Sequence, residues 1–271
     1  GGGSSSGGLA DLMGGGGGGG VMGGAPGAGL ATPKRLVLPK DRGEGLQISS
    51  RFIAAGGGRV NCEFTVENLT NQTGANTPLS AFAIQLNKNS YGLSPESPNA
   101  LGAVMPPQLM PGQSHVATFA LVPGGQVQDM RNTIQIAVKN NVKVFYFQDS
   151  MHIKCVLSPS GRLDRDTFLN TWKSIPNERE VSHLFQGLQN ESQQHIQTAL
   201  EQANMFFVAN RAADGKNYYY FSMVTFSGEG YLIEVATAGT GQCKVSVRTS
   251  SSGQYTTAIC DSVEHTLLGT A

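Results

Sequence analysis

From Thr32 onward apolar and polar residues alternate in short runs: Arg35-Leu-Val-Leu, Leu46-Gln-Ile-Ser, Val60-Asn-Cys-Glu-Phe-Thr-Val and Ala81-Phe-Ala-Ile-Gln-Leu. Between them stand turn formers, among them Gly56-Gly-Gly, Asn71-Gln-Thr-Gly and Ser94-Pro-Glu-Ser-Pro. A period of two with turn signals at short intervals predicts antiparallel strands with one wet face. Residues 116–121, 133–138 and 142–147 extend the series to seven or eight strands over roughly 125 residues, for which a two-sheet sandwich is the natural closure. Asn140-Asn141 predicts a tight turn between the last two strands, because asparagine tolerates left-handed backbone angles.

The texture changes near Ser158-Pro-Ser-Gly. Phe168, Leu169 and Trp172 recur at helical spacing behind Asp164 or Asp166 as N-cap, and Pro176 ends that helix. Residues 191–204 read as a second helix, with Ile196, Ala199, Leu200 and Ala203 on one stripe. Strands follow at 205–209, 218–226, 231–236 and 243–248, then a last helix over 257–268. The fold class is therefore α+β overall: a β-sandwich, then an antiparallel sheet whose helices gather on one side. The boundaries are 1–33 for a Gly-rich linker, 34–157 for the sandwich and 158–271 for the second part.

Composition changes this picture in two places. Sixteen of the 36 glycines precede Leu30, beside a single charged residue, Asp11, so that stretch reads as a tether unable to offset its backbone entropy by burial. Lys+Arg and Asp+Glu are balanced at 19 each, which excludes nucleic acid as a charge-driven partner and confines charge-based recognition to local patches. No long apolar run or basic leader is visible, and the absent initiator Met marks the expectation of a piece of a longer chain. Cys62, Cys155, Cys243 and Cys260 are scattered without a CxxC pair, giving no zinc site and no dense disulfide framework, which fits a reducing cytoplasmic setting.

The five histidines show no metal-ligand spacing, and neither GxSxG nor HExxH occurs, so no catalytic residue, metal or cofactor is expected. Neither the glycine run nor Gly239-Thr-Gly is closed by Gly-Lys-Ser/Thr, so neither is a phosphate cradle. Asn68, Asn71 and Asn190 head glycosylation triplets that read as ordinary loop residues. Trp172 is the only tryptophan; burial is the default for such a ring, but its polar neighbours Asn170, Thr171 and Lys173 make an exposed binding anchor the alternative. In Tyr218-Tyr-Tyr-Phe, alternation sends Tyr218 and Tyr220 to one face and Tyr219 and Phe221 to the other, so one pair is expected to be less buried.

Ala81-Phe-Ala-Ile-Gln-Leu-Asn-Lys-Asn-Ser-Tyr-Gly, Ile136-Ala-Val-Lys-Asn-Asn-Val-Lys-Val-Phe-Tyr-Phe and Phe168-Leu-Asn-Thr-Trp-Lys-Ser-Ile-Pro-Asn-Glu closely resemble the appendage of the β-adaptin subunit of heterotetrameric clathrin adaptor complexes, from about Lys34 to the C-terminus. The resemblance implies an immunoglobulin-like sandwich and a platform at the end of a flexible hinge. Its peptide site, carried over residue by residue, falls on Trp172, Lys173, Tyr220 and Glu234 of the platform, with a second site at Tyr146 of the sandwich. It implies a non-enzymatic module that recruits clathrin and accessory or cargo-adaptor proteins bearing amphipathic helices. Other adaptor subunits would join through a missing trunk, the membrane would be reached only indirectly, and the place would be cytoplasmic, on coated vesicles.

On this reading the Trp172 and Tyr220 rings lie bare, side by side, in a shallow furrow. Glu234 meets a base on the partner helix and Lys173 favours acidic flanks. Leu9-Ala-Asp-Leu-Met departs from a clathrin-box pattern at Ala10 and Met13 and carries no binding expectation. Two rival readings remain. A two-domain hydrolase or transferase predicts a concave pocket with perturbed titratable groups, and an extracellular sandwich adhesion protein predicts bonded cysteines with glycans on Asn68 or Asn71.

Overall fold

The computed structural model describes residues 32–125 and 133–269. In chain order the first half runs β1 (Arg35–Leu38), β2 (Leu46–Gly56), β3 (Arg59–Asn68), β4 (Leu79–Ser80), β5 (Ala83–Asn89), β6 (Leu93–Pro95), the single turn α1 (Ala100–Ala103), β7 (Gln108–Leu109), β8 (Ser114–Pro123), β9 (Ile134–Lys139) and β10 (Val144–Asp149). The strict alternation of β2 and β3 places Ile48, Phe52, Cys62, Phe64 and Val66 inward at full burial. A five-stranded sheet, β1-β2-β3-β8-β6, and a three-stranded sheet, β10-β9-β5, share that core. The Phe64 ring meets Phe119 of its own sheet and Phe147 of the other. This is the sandwich predicted from the period-two runs.

A 3₁₀ turn, Ile153–Val156, leads into β11 (Leu157–Ser158), α2 (Arg165–Ser174), β12 (Val181–Gln186), α3 (Gln193–Glu201), β13 (Phe206–Ala213), β14 (Lys216–Thr225), β15 (Gly230–Thr237), β16 (Gln242–Arg248) and α4 (Thr256–Leu268). The strands form one antiparallel sheet ordered β11-β14-β15-β16-β12, with β13 also on β14. Asp164 caps α2 by accepting from Thr167 N–H, and Ser192 caps α3 by accepting from His195 N–H. Both satisfy amides that a helix start leaves unpaired.

Several expectations need correction. The helices do not gather on one side: α3 and α4 pack on the face of Tyr219, Phe221, Ile233 and Val245, whereas α2 packs on the face of Tyr220 and Leu232. The strand 181–186 was missed, because Val-Ser-His-Leu-Phe-Gln has no clean alternation. The Asn140 turn exists, but neither Asn140 nor Asn141 adopts positive φ. Instead the Asn140 side chain accepts from the N–H groups of Val142 and Lys143, an Asx-type closure.

The halves meet through one continuous core. Tyr91 donates its hydroxyl to the Met151 carbonyl at 2.5 Å, and Tyr255, just before α4, donates to the Tyr91 carbonyl at 2.9 Å. His152 sits at the joint. Its Nδ1 accepts from Lys154 N–H and its Nε2 lies 2.8 Å from Thr266 Oγ1, so a neutral ring with its proton on Nε2 satisfies both contacts. Burial, chiefly, with Lys154 and His265 nearby, lowers its pKa to about 4. The linker reading falls on residues 1–33, of which 1–31, including Leu9 to Met13, lie outside the described residues.

Candidate functional site

The first strand face to examine is the outer side of the three-stranded sheet. In β10 alternation buries Phe145 and Phe147 and turns Val144, Tyr146 and Gln148 outward. Among the described residues no helix covers this face, and Tyr146 is 69% exposed, more than any other large apolar side chain among them. Opposite it on β9 stands the small side chain of Ala137. Beside the ring a recess of about 500 Å³ is lined by Arg42, Asn87, Gln135 and Gln148 over apolar Val37 and Ile136. An aromatic surface with a guanidinium and three amides beside it suits an apolar anchor flanked by hydrogen-bonding groups.

The platform residues are brought together, though not as a bare furrow. Trp172 and Tyr220 meet edge to face with centroids 6.1 Å apart, as expected of neighbours. Yet Trp172 is 4% exposed and Tyr220 is fully buried, which overturns the expectation that both rings lie open. The reason is the helix itself. Trp172 lies four residues after Phe168 on the same stripe of α2, so the face that seats Phe168 and Leu169 also seats the indole. Phe168 stacks on one side of the indole at 5.6 Å, and the Arg248 guanidinium covers the ring at 4.6 Å. Cations over Trp faces are favourable contacts in their own right.

Around this aromatic block runs a polar rim. Arg248, nearly buried, donates to the carbonyls of Trp172 and Ile175 at the end of α2, to Asn177 and to the Glu180 carboxylate at 2.8–2.9 Å for the last two. Burial pushes the Glu180 carboxyl up, but hydrogen bonds and charge from Arg248 outweigh it and hold the group below its ordinary range. Arg211 Nε donates to the Tyr220 hydroxyl at 3.0 Å and its guanidinium stacks on Tyr218 at 4.3 Å. Glu234 stands opposite Tyr220 in the β14–β15 register, so Arg211, Tyr220 and Glu234 are neighbours on one face. Burial, chiefly, raises the Glu234 pKa, so this carboxylate is held at an electrostatic cost.

Register shows what remains open. α2 and its lead-in cross the row Ser222, Leu232, Arg248, since Leu163 N–H donates to Ser222 and Arg248 reaches the α2 carbonyls. Further along the same face stand the rows Tyr220, Glu234, Ser246, Ser182 and Tyr218, Ala236, Lys244, Leu184. Lys173, Lys244 and Leu184 are exposed there, and Arg211, Tyr218 and Glu234 are partly exposed. Of the pair Tyr218 and Tyr220, only Tyr218 is open, because it sits one row beyond the helix. Arg248, Glu180 and Arg211 went unnoticed in the sequence. They lie 76, 8 and 39 residues from Trp172, and only the packing of α2 on the sheet joins them. The outward position of Arg248 in Gln-Cys-Lys-Val-Ser-Val-Arg was the available signal.

No group of His, Cys, Asp and Glu among the described residues could hold a metal ion, and none of their helices is long and apolar enough to cross a membrane. All four cysteines are free and buried, and burial pushes the Cys155 thiol up to about 11 and those of Cys243 and Cys260 to about 12. The Asn68 amide is fully buried and donates to the carbonyls of Thr77 and Leu109, so in the folded chain it cannot accept a glycan.

Comparison with known proteins gives a consistent picture. Residues 158–267 match the family model of the β2-adaptin appendage, C-terminal sub-domain. The AP-1 complex subunit beta-1 of Homo sapiens and that of Rattus norvegicus are each 33% identical over 205 residues, covering 75% of this chain and 20% of the relative. The AP-1 complex subunit beta of Dictyostelium discoideum is 33% identical over 224 residues, covering 80% of this chain and 23% of its own. The chain thus spans about a fifth of the length of the curated relatives it matches.

Proposed function

From the match of residues 158–267 to the family model of the β2-adaptin appendage, C-terminal sub-domain, we propose that this chain is a non-enzymatic recruitment module of a clathrin adaptor β subunit. It gathers accessory proteins, cargo adaptors and clathrin at a coated membrane through short peptide motifs. Residues 1–33 act as its hinge, 34–157 as the sandwich and 158–271 as the platform. The trunk that joins the other adaptor subunits belongs to the remainder of the longer protein.

The observation that carries this reading is Tyr146, a bare ring 69% exposed beside a recess on the outer face of the three-stranded sheet. Such a ring is a rigid anchor at low side-chain entropy cost. On the platform the Trp172 and Tyr220 pair is the scaffold. Tyr218, Glu234, Lys173 and Lys244 along the open strip are the groups that touch an incoming amphipathic helix. Glu234 meets a base on that helix, and the lysines favour its acidic flank and speed encounter. Each contact is weak alone, and many tethered contacts supply avidity.

The test is affinity capture from cytosol on the wild-type chain beside Tyr146→Ala and beside the double variant Lys173→Glu, Tyr218→Ser. Each variant should lose a distinct set of partners, clathrin among them, at unchanged melting temperature. Identical captured sets on all three would refute the proposal.

A further inference from the structure

Among the described residues the platform sheet ends at β12, which pairs with β16 on one side and with no strand on the other. Exposed strand edges are ready templates for pairing, and proteins ordinarily guard them with Lys, Pro, a bulge or a covering element. Among the described residues β12 has no Lys, Pro or bulge, and no strand lies along this edge. Its six residues, Val-Ser-His-Leu-Phe-Gln, carry no Lys, Arg, Asp, Glu or Pro, and its register with β16 runs unbroken from Val181↔Val247 to Gln186↔Gln242. Two of the exposed large apolar side chains lie on it, Leu184 at 58% and Val181 at 37%. The inner face of the strand is covered at its middle, since Phe185 is buried and His183 Nε2 lies 2.6 Å from the Glu264 carboxylate of α4, and is open at Val181. What remains open is the in-plane edge, the outward Leu184 and the inward Val181 at the strand start.

We propose that this edge is a homotypic docking site, where β12 of a second copy adds antiparallel and carries the sheet across a two-fold axis. Three features single out a second copy as the occupant. A strand without Lys, Arg, Asp or Glu meets its twin without like-charge repulsion from those groups, whereas charged strands opposite themselves are penalised. A two-fold centred on Leu184 pairs residues of equal parity, Leu184 with Leu184 and Ser182 with Gln186, so outward positions meet outward positions and the exposed leucines bury one another. The open strip of each platform lies on that same outward face, so pairing leaves both strips on one continuous surface. A single strand pair buries less than the ~1,200 Å² of the smaller stable complexes, so the association is weak in solution and strengthens where tethering concentrates the chain.

The experiment is analytical ultracentrifugation of the 271-residue chain from about 10 µM to about 1 mM, joined to amide hydrogen exchange at the two extremes, with Leu184→Lys and Val116→Lys as variants. Val116, 53% exposed on the sandwich, controls for the loss of any surface apolar side chain. The expected result is a monomer–dimer equilibrium with amide protection gained over residues 181–186 at high concentration. Leu184→Lys should weaken it by about tenfold or more at unchanged melting temperature, and Val116→Lys should leave it intact. A monomer throughout the range overturns the proposal. So does a dimer that is indifferent to Leu184→Lys, or one that protects residues elsewhere. Because the readout involves no peptide ligand, its outcome is separate from that of the capture experiment.

Discussion

Tyr146 and Tyr220 hold similar places in their strands: each lies mid-strand with aromatic neighbours on both sides, and each was expected to contact a partner. One is 69% exposed and the other fully buried. The difference lies in what covers the face each tyrosine points to. Among the described residues the outer side of the three-stranded sheet carries no helix, so period two leaves Tyr146 in solvent. The platform sheet has helices on both faces, so alternation there decides only which core receives a ring. Tyr220 goes under α2, and Tyr218, two residues earlier, escapes because α2 ends its crossing before that row. An aromatic ring in a strand therefore becomes a recognition surface when its sheet face lacks a covering layer.

This contrast predicts mutational effects of very different size. The largest belong to the platform block: Trp172→Ala or Tyr220→Ala should cost about 3–5 kcal/mol in denaturant unfolding, the range for large buried aromatics. Loss of partner binding in those variants would then accompany unfolding. Variants that keep their melting temperature would break the comparison.

The next largest effect is at the joint between the halves. The folded pKa of His152, about 4, lies below its ordinary 6.5, so the unfolded chain takes up the proton first. Its contribution is fully present above pH 6.5 and is lost as pH falls toward 4, up to about 3 kcal/mol. Unfolding measured across that window should flatten in His152→Gln.

Smaller again, Tyr146→Ala should weaken a sandwich-bound partner by about 2 kcal/mol, roughly 30-fold, with stability changed by less than about 0.5 kcal/mol. The smallest binding effect is on the rim. Lys173→Glu should slow association of acidic platform ligands severalfold and reduce its dependence on salt, by about 1 kcal/mol or less in affinity. Stopped-flow binding at two ionic strengths reads it.

Much of the architecture was legible because each signal was local. Period-two runs such as Val60-Asn-Cys-Glu-Phe-Thr-Val gave strands, Asp164 marked a helix start, and Pro176 marked its end. β12 escaped because an edge strand with one half-covered face loses the alternation that marks its neighbours. The site was legible only as residue identities. That Trp172 and Tyr220 would touch was foreseeable from the family resemblance, but the burial of the indole depends on Phe168 stacking against it and Arg248 lying over it. The Arg248 contact spans 76 residues of sequence and is created by the packing of α2 on the sheet. The helical spacing of Phe168 and Trp172 was the one local cue to burial, and the polar neighbours of Trp172 masked it.

Trp172 is the only tryptophan, so its fluorescence reports on this point without interference from another indole. The account predicts a blue-shifted emission that acrylamide quenches poorly in the folded chain, rising to full quenching only on unfolding. Red-shifted emission with free-indole quenching in the native protein would contradict it, and would return Trp172 to the role of a bare anchor.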